Sequence, residues 1–158
     1  MSERDQIDSI EFEKSVIGVD VQLGAYQVTS EEIIAYARAL GETNPLYLDK
    51  EAARTGPHGA IIAPPGFYTS MRFARAPDPK VRFGNSNMGY MAGQHIEYFE
   101  HIRAGDTISA SGRVTDVYTK TGRSGKLVFV VRRTTYCNQR GRTVMVVESS
   151  NVRSETMK

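Results

Sequence analysis

From residue 94 to residue 153 the apolar residues recur at every second position, in four runs separated only by short turns. The runs are QHIEYFEHI (94–102), DTISASGRVTDVYTK (106–120), KLVFVVRRTTYCNQ (126–139) and RTVMVVESSNVR (142–153). A period of two with many β-branched residues describes strands with two unlike faces. RAGD, TGRSG (121–125) and RG (140–141) are compact breaks of the kind that turn one strand back on the last. The last 60 or so residues are therefore predicted to form an antiparallel meander, and an antiparallel sheet needs one face covered.

Cover has to come from upstream, where the period is helical. GAYQVT (24–29) reads as a short strand. Ser30 then offers a hydroxyl cap to a helix carrying Glu31 and Glu32 in its first turn and Ile33, Ile34, Tyr36, Ala37 and Leu40 on its apolar side, with Gly41 placed to end it. Asn44-Pro45 signals a turn, and Asp49 and Gly56 bracket a short helix over DKEAARTG. IIAPPGFYTSMRFARA (61–76) begins as a buried strand or loop. It is predicted to become the main covering helix, with Pro65 near its first position and Phe67, Met71 and Ala74 spaced at i, i+4 and i+7. The segment 78–93, rich in Gly and Asn, is the longest expected loop.

The fold class that follows is α+β, with an antiparallel sheet wrapped around a long central helix, the hot-dog arrangement. One domain is expected over 15–153, preceded by a polar arm (1–14) and followed by a short tail (154–158). Such a sheet leaves an edge strand open, and pairing it with a second chain would protect it, so a dimer is expected.

Bulk properties remove several function classes. Twenty basic residues stand against 18 acidic ones, a balance that argues for neither nucleic acid nor an anionic membrane as partner. The local basic group Arg132, Arg133, Arg140 and Arg142 is split between strand faces and reads as solvated surface. Cys137 is the only cysteine, so there is no internal disulfide, and the chain suits a reducing cytoplasm. With no Cys or His close to it in sequence, no metal site is expected. The N-terminus lacks the apolar core of a signal peptide, and no run is long enough to span a bilayer. The loop 84–93 has no G-x-G-x-x-G, and no nucleotide or other cofactor is expected.

Four segments in this order carry a resemblance: ALGETNPLYLD (39–49), EAARTG (51–56), IIAPPGF (61–67) and HIRAGDTI (101–108). Together they resemble the MaoC-like hydratases and dehydratases, hot-dog proteins, over roughly residues 15–153. APPGF and NPLYLD bring the chain nearer to the FAS1-like N-terminal branch of that family, which includes accessory, substrate-shaping subunits. The resemblance implies reversible addition of water to the double bond of a 2-enoyl thioester of coenzyme A or acyl carrier protein. The catalytic branch reads G-D-x-N-P-x-H, its Asp and His moving the protons, and a backbone N–H at the central helix start polarises the thioester carbonyl.

This chain departs from that pattern. Glu42 stands at the Asp position and Tyr47 at the His position. A glutamate is as basic as an aspartate but reaches one methylene further, and ångström-scale displacement can lower rates about a hundredfold. A phenol titrating near ~10 can hold or donate to a water but has none of the proton-exchange range of imidazole at neutral pH. A working dyad is therefore not expected. Gly66 keeps its N–H for the thioester carbonyl, while Asn44 and His58 are the further expected substrate contacts, and Glu42 and Tyr47 line what remains of the dyad.

Three functions stay open on the sequence. One is a pocket-shaping subunit that pairs with a catalytic hot-dog chain; the second is a self-sufficient hydratase using Glu42; the third is a non-catalytic acyl-thioester or lipid-binding homodimer. Plainer roles stand beside the site roles: Glu42 as surface, Tyr47 as packing, His58 as a solvated loop residue, His95 and His101 as structural strand-end residues, and Met71, Met88 and Met91 as core. The absence of Asp or Glu from PGFYTSMRFARA counts against a thioesterase.

Overall fold

A computed structural model describes residues 10–82, 89–123 and 125–154. The elements are β1 (Val21–Gln27), α1 (Ser30–Ala39), α2 (Pro45–Leu48), α3 (Lys50–Thr55), a 3-10 turn (Pro65–Ser70), β2 (Tyr90–Tyr98), β3 (Thr107–Gly122), β4 (Gly125–Cys137) and β5 (Thr143–Ser154). The expected residues 1–9, Met88 with the middle of the 78–93 loop, Ser124 of the TGRSG turn and most of the C-terminal tail lie outside the described residues.

The strands form one antiparallel sheet in the order β1-β3-β4-β5-β2. β3 to β5 form a meander as expected, but the first run departs from it: RAGD is not a hairpin turn, and β2 crosses the sheet to pair with β5 rather than with β3. β2 runs Tyr90–Tyr98 rather than 94–102, and β1 begins at Val21 rather than residue 24. Register fixes which side chains face inward. Ile96, Val147 and Thr134 share a row, while His95, Glu148, Arg133 and Arg113 share the next, on the opposite face.

The inward face is covered in two places. At one end Ile33 of α1, Ala53 of α3, and Phe67 and Met71 of the 61–71 segment close over Ile108, Val144, Met145 and Val147. Each large side chain buried in this way contributes roughly 1.5–3 kcal/mol of apolar transfer energy. At the other end Ile10 and Val81 pack on Val114, Val117, Val128 and Val130, with Phe12, Val16 and Ile17 alongside. Residues 10–13 of the expected arm thus lie against the sheet, tied by Glu13 N–H to the Pro79 carbonyl (2.6 Å) and Arg82 N–H to the Glu11 carbonyl (2.9 Å).

The long central helix expected over 67–76 is replaced by a short 3-10 helix (Pro65–Ser70) followed by chain without regular structure. Thr69 and Ser70 turn their hydroxyls back onto the carbonyls of Gly66 (2.9 Å) and Phe67 (2.7 Å), which competes with helix propagation. Ala74 N–H goes to the Leu23 carbonyl of β1 (2.8 Å), and Pro77 and Pro79 hold their predecessors extended. Phe67 and Met71 are buried as expected; Ala74 is exposed. The longest covering helix is α1, whose Ile33 and Ala37 are fully buried. Its cap is Thr29, one residue before the expected Ser30. Thr29 Oγ1 accepts from Glu32 N–H, and the Glu32 carboxylate accepts in return from the Thr29 N–H.

Candidate active-site region

The loop GETNPLY begins where α1 ends. Gly41 has φ +73°, a conformation that suits glycine, and Glu42 N–H reaches back to the Ala37 carbonyl (3.0 Å). Asn44 Oδ1 accepts from Leu46 N–H (3.0 Å), Pro45 takes the first helical position, and one turn of α2 results. Asp49 Oδ1 then caps α3 through Glu51 N–H and Ala52 N–H. This short staircase presents Glu42 and Tyr47, both half-buried, on consecutive turns. Among the described residues the Glu42 carboxylate has no hydrogen bond or ion pair.

Backbone bonds sew three of the sequence motifs together. Ile62 N–H donates to the Leu46 carbonyl (3.2 Å), Ala63 N–H to the Ile102 carbonyl (2.8 Å), and Ala104 N–H to the Ile61 carbonyl (2.8 Å). RAGD is the corner that makes this possible. Gly105 has φ +91° and donates to the Val28 carbonyl, and buried Asp106 accepts from Arg103 N–H (2.8 Å) and Gln139 Nε2 (3.0 Å). Asp106 thus has a structural role.

The APPG turn is held by tyrosines. A Cβ on Gly66 would lie 2.6 Å from the Tyr36 hydroxyl, so only glycine fits there without displacing it. Tyr36 also packs edge-on against Phe67, with centroids 5.6 Å apart. Tyr98, the last residue of β2, donates its hydroxyl to the Pro65 carbonyl at 2.8 Å. Burial, with the Tyr68 and Tyr36 hydroxyls nearby, pushes the Tyr98 phenol up, so it remains a donor at neutral pH. Tyr68 reaches Gln94 (3.2 Å), and Tyr136 packs against Tyr68 and Phe73 with its phenol pushed up to about 12 by burial. Gly66 N–H has no partner among the described residues.

Beside the turn lies a largely apolar cavity of about 300 Å³, lined among others by Pro64, Pro65, Tyr98, His101, Val144 and Met145. None of Glu42, Asn44, Tyr47, His58 and Gly66 lines it directly. Gly66 adjoins it through Pro65. His58 adjoins it through His101, the two imidazoles meeting edge to face at 4.5 Å between centroids. Burial, then His58 and Arg103, holds the His101 imidazole below its ordinary range. Glu100, also at the cavity, is committed to Arg142 (2.8 Å) and Asn138 (3.3 Å), and the Arg142 guanidinium holds its carboxyl below the usual carboxylate range. The structure thus brings His101, Tyr98 and Tyr36 to the region; the sequence reads His101 as a structural strand-end residue and Tyr36 as helix packing, and places none of the three at the site. The only signal for Tyr98 was strand alternation, which places it on the face shared by Ile96.

Among the described residues no three His, Cys, Asp or Glu side chains converge as a metal site would require, and no helix is long and apolar enough to cross a membrane.

Comparison with known proteins gives these features a lineage. The profile of the family described as "FAS1-like, dehydratase domain region" matches residues 15–147. A UPF0336 protein of Streptomyces griseus is 34% identical over 102 residues, covering 62% of this chain and 67% of the relative. The MaoC-like dehydratase of Rhodospirillum rubrum superposes with a TM-score of 0.67 at 22% identity, over 94% of this chain and 99% of that one. A chain of the HadBC (3R-hydroxyacyl-ACP dehydratase) complex of Mycobacterium tuberculosis superposes with a TM-score of 0.68 at 19% identity, over 89% and 99%. A profile match across most of the chain and hot-dog neighbours over nearly all of it lead to one conclusion: the chain belongs to the FAS1-like dehydratase domain family and has the α+β hot-dog fold of MaoC-like proteins.

Proposed function

We propose that this chain is the pocket-shaping component of a 2-enoyl-thioester hydratase, or in reverse a 3-hydroxyacyl-thioester dehydratase, acting on coenzyme A or carrier-protein thioesters. The observation that carries this reading is the pairing of an intact APPG turn with an altered loop. Gly66 N–H is unpaired beside an apolar cavity, while Glu42 and Tyr47 occupy the positions where the catalytic branch has Asp and His. In this reading the thioester oxygen accepts from Gly66 N–H. Water adds at Cβ, negative charge grows on that oxygen, and a donor already in place stabilises it without reorganisation. The proton taken from water and the one delivered to Cα pass through the Asp and His of a second hot-dog subunit. Asn44 and His58 flank the substrate, and Tyr47 holds water by hydrogen bonding. The HadBC neighbour, itself a complex, supports a paired arrangement.

A second reading, a self-sufficient hydratase, is favoured by one observation: the Glu42 carboxylate is uncommitted and free to act as a base. A hydration assay on the pure chain with short and long 2-enoyl-CoA, beside Glu42→Gln, separates the two. The first reading expects substrate binding without turnover in either protein, and turnover once a chain bearing G-D-x-N-P-x-H is added. Turnover by the pure chain that disappears in Glu42→Gln establishes the second. Binding that no such partner converts to turnover leaves a non-catalytic acyl-thioester binder, and no binding of either substrate removes every reading that takes coenzyme A thioesters.

A further inference from the structure

Two tyrosine hydroxyls meet one peptide group from different elements. Tyr36 of α1 stands against the Cα of Gly66, where a side chain would project, and Tyr98 of β2 donates to the carbonyl of Pro65 at 2.8 Å. Pro65 C=O and Gly66 N–H are the two ends of the same planar amide. In a trans peptide they point in opposite directions, so whatever fixes the carbonyl fixes the N–H. A donor on the carbonyl oxygen also draws electron density across the amide. The N–H becomes a stronger donor, as in any chain of hydrogen bonds through peptide groups. A turn of six residues has little macrodipole to lend. The polarisation of this N–H has to come through its own peptide bond.

We propose that Tyr98 is a positioning residue for the Gly66 amide, its hydroxyl orienting and polarising the peptide group whose N–H meets the thioester carbonyl. The inference rests on the acyl-thioester reading above. Tyr98 sits well for this role. Its hydroxyl bonds the turn while its ring lines the cavity. The bond spans 33 residues of sequence, so it ties the end of the β2 edge to the site. The substrate touches the amide; Tyr98 acts from behind it.

The test uses hexadienoyl-CoA, whose conjugated chromophore moves to the red when its thioester carbonyl accepts a hydrogen bond. Binding is measured by calorimetry and polarisation by the absorbance of the bound probe. The wild-type protein is expected to bind the probe with a red shift. Tyr98→Phe is expected to bind within a few-fold of wild type and to lose at least half of that shift. Tyr68→Phe, which removes a neighbouring hydroxyl bonded to Gln94, is expected to keep it. A merely structural Tyr98 would lower affinity and thermal stability without changing the colour of what is bound. Should Tyr98→Phe not fold, a ring-fluorinated tyrosine at position 98 replaces it: the stronger O–H donor is expected to deepen the shift. A full red shift in Tyr98→Phe, or one unchanged by the fluorinated residue, overturns the role of Tyr98 and leaves the acyl-thioester reading standing. Binding without any red shift in the wild type overturns the proposed task of the Gly66 amide together with that of Tyr98. No binding of hexadienoyl-CoA to any of the proteins overturns the coenzyme A form of the reading on which the inference rests, and the inference with it.

Discussion

A methyl group on Gly66 would lie 2.6 Å from the Tyr36 hydroxyl but 3.7 Å from its Cζ carbon, which is ordinary contact. The conflict is therefore with one oxygen atom. Gly66→Ala is expected to destabilise the fold by about 1–3 kcal/mol, the usual range for overpacking. Tyr36→Phe in the same chain is expected to recover at least half of that loss, a coupling that urea unfolding of the four proteins in a double-mutant cycle measures. Additive effects would mean that Tyr36 yields to the methyl group. The same pair shows what a sequence can disclose. Gly66, Asn44 and Glu42 lie in contiguous motifs, which is why the sequence offers them as candidates. Tyr36 sits in an ordinary helical apolar series and Tyr98 in an ordinary strand, and their contacts with the turn depend on how distant segments fold together. His101 reads in the sequence as a structural strand-end residue, and its contact with His58 is not legible there because the two come from separate segments.

At the scale of elements, strands were legible and the covering helix was not. Three of the four period-two runs, β3 to β5, form the expected meander, while β2 lies four residues upstream of its expected run and crosses to pair with β5 instead of β3. The 66–76 segment has an α-helical apolar spacing, but spacing records which residues prefer burial and not what the backbone bonds to. Thr69, Ser70 and the Leu23 carbonyl supplied competing bonds that the pattern does not contain. α1 erred by one residue for a similar reason: Ser30 and Thr29 are both good caps, and Glu32 at the third helical position selects Thr29 by completing the reciprocal pair. Glu32 also accepts from Tyr26 (2.6 Å), which joins this cap to β1. Thr29→Ala is accordingly expected to lose about 0.5–2 kcal/mol of stability in chemical denaturation, with Ser30→Ala close to neutral. Equal losses in the two variants would return the cap to Ser30.

At the scale of the whole molecule, the most informative surface is the β2 edge. Tyr90, Met91, Tyr98 and Phe99 are 48–64% exposed there, whereas the opposite edge, β1, is shorter, at 7 residues against 9; both edges carry one register irregularity, at Gln22/Gly24 and at Met91/Gly93. An edge strand with exposed apolar side chains invites pairing with another chain. The protein is therefore expected to sediment as a dimer, or to pair with a second hot-dog subunit when one is supplied. Tyr90→Glu with Met91→Glu is expected to convert it to monomer without lowering its helix or strand content by circular dichroism. A wild-type protein that stays monomeric and takes no hot-dog partner would show that this edge is left open.

The two apolar clusters that share the sheet have a consequence for variation among relatives. Ile10, Val81 and the far halves of β3 and β4 form one closed unit, and the helices with the APPG turn form another. Connected mainly through the strands, the two ends can drift in sequence at different rates. The helical end can change its cavity lining while the distant end goes on anchoring the sheet. A fold partitioned in this way can lose its proton-transfer groups and keep its shape, which gives a family an inexpensive route from enzyme to helper subunit.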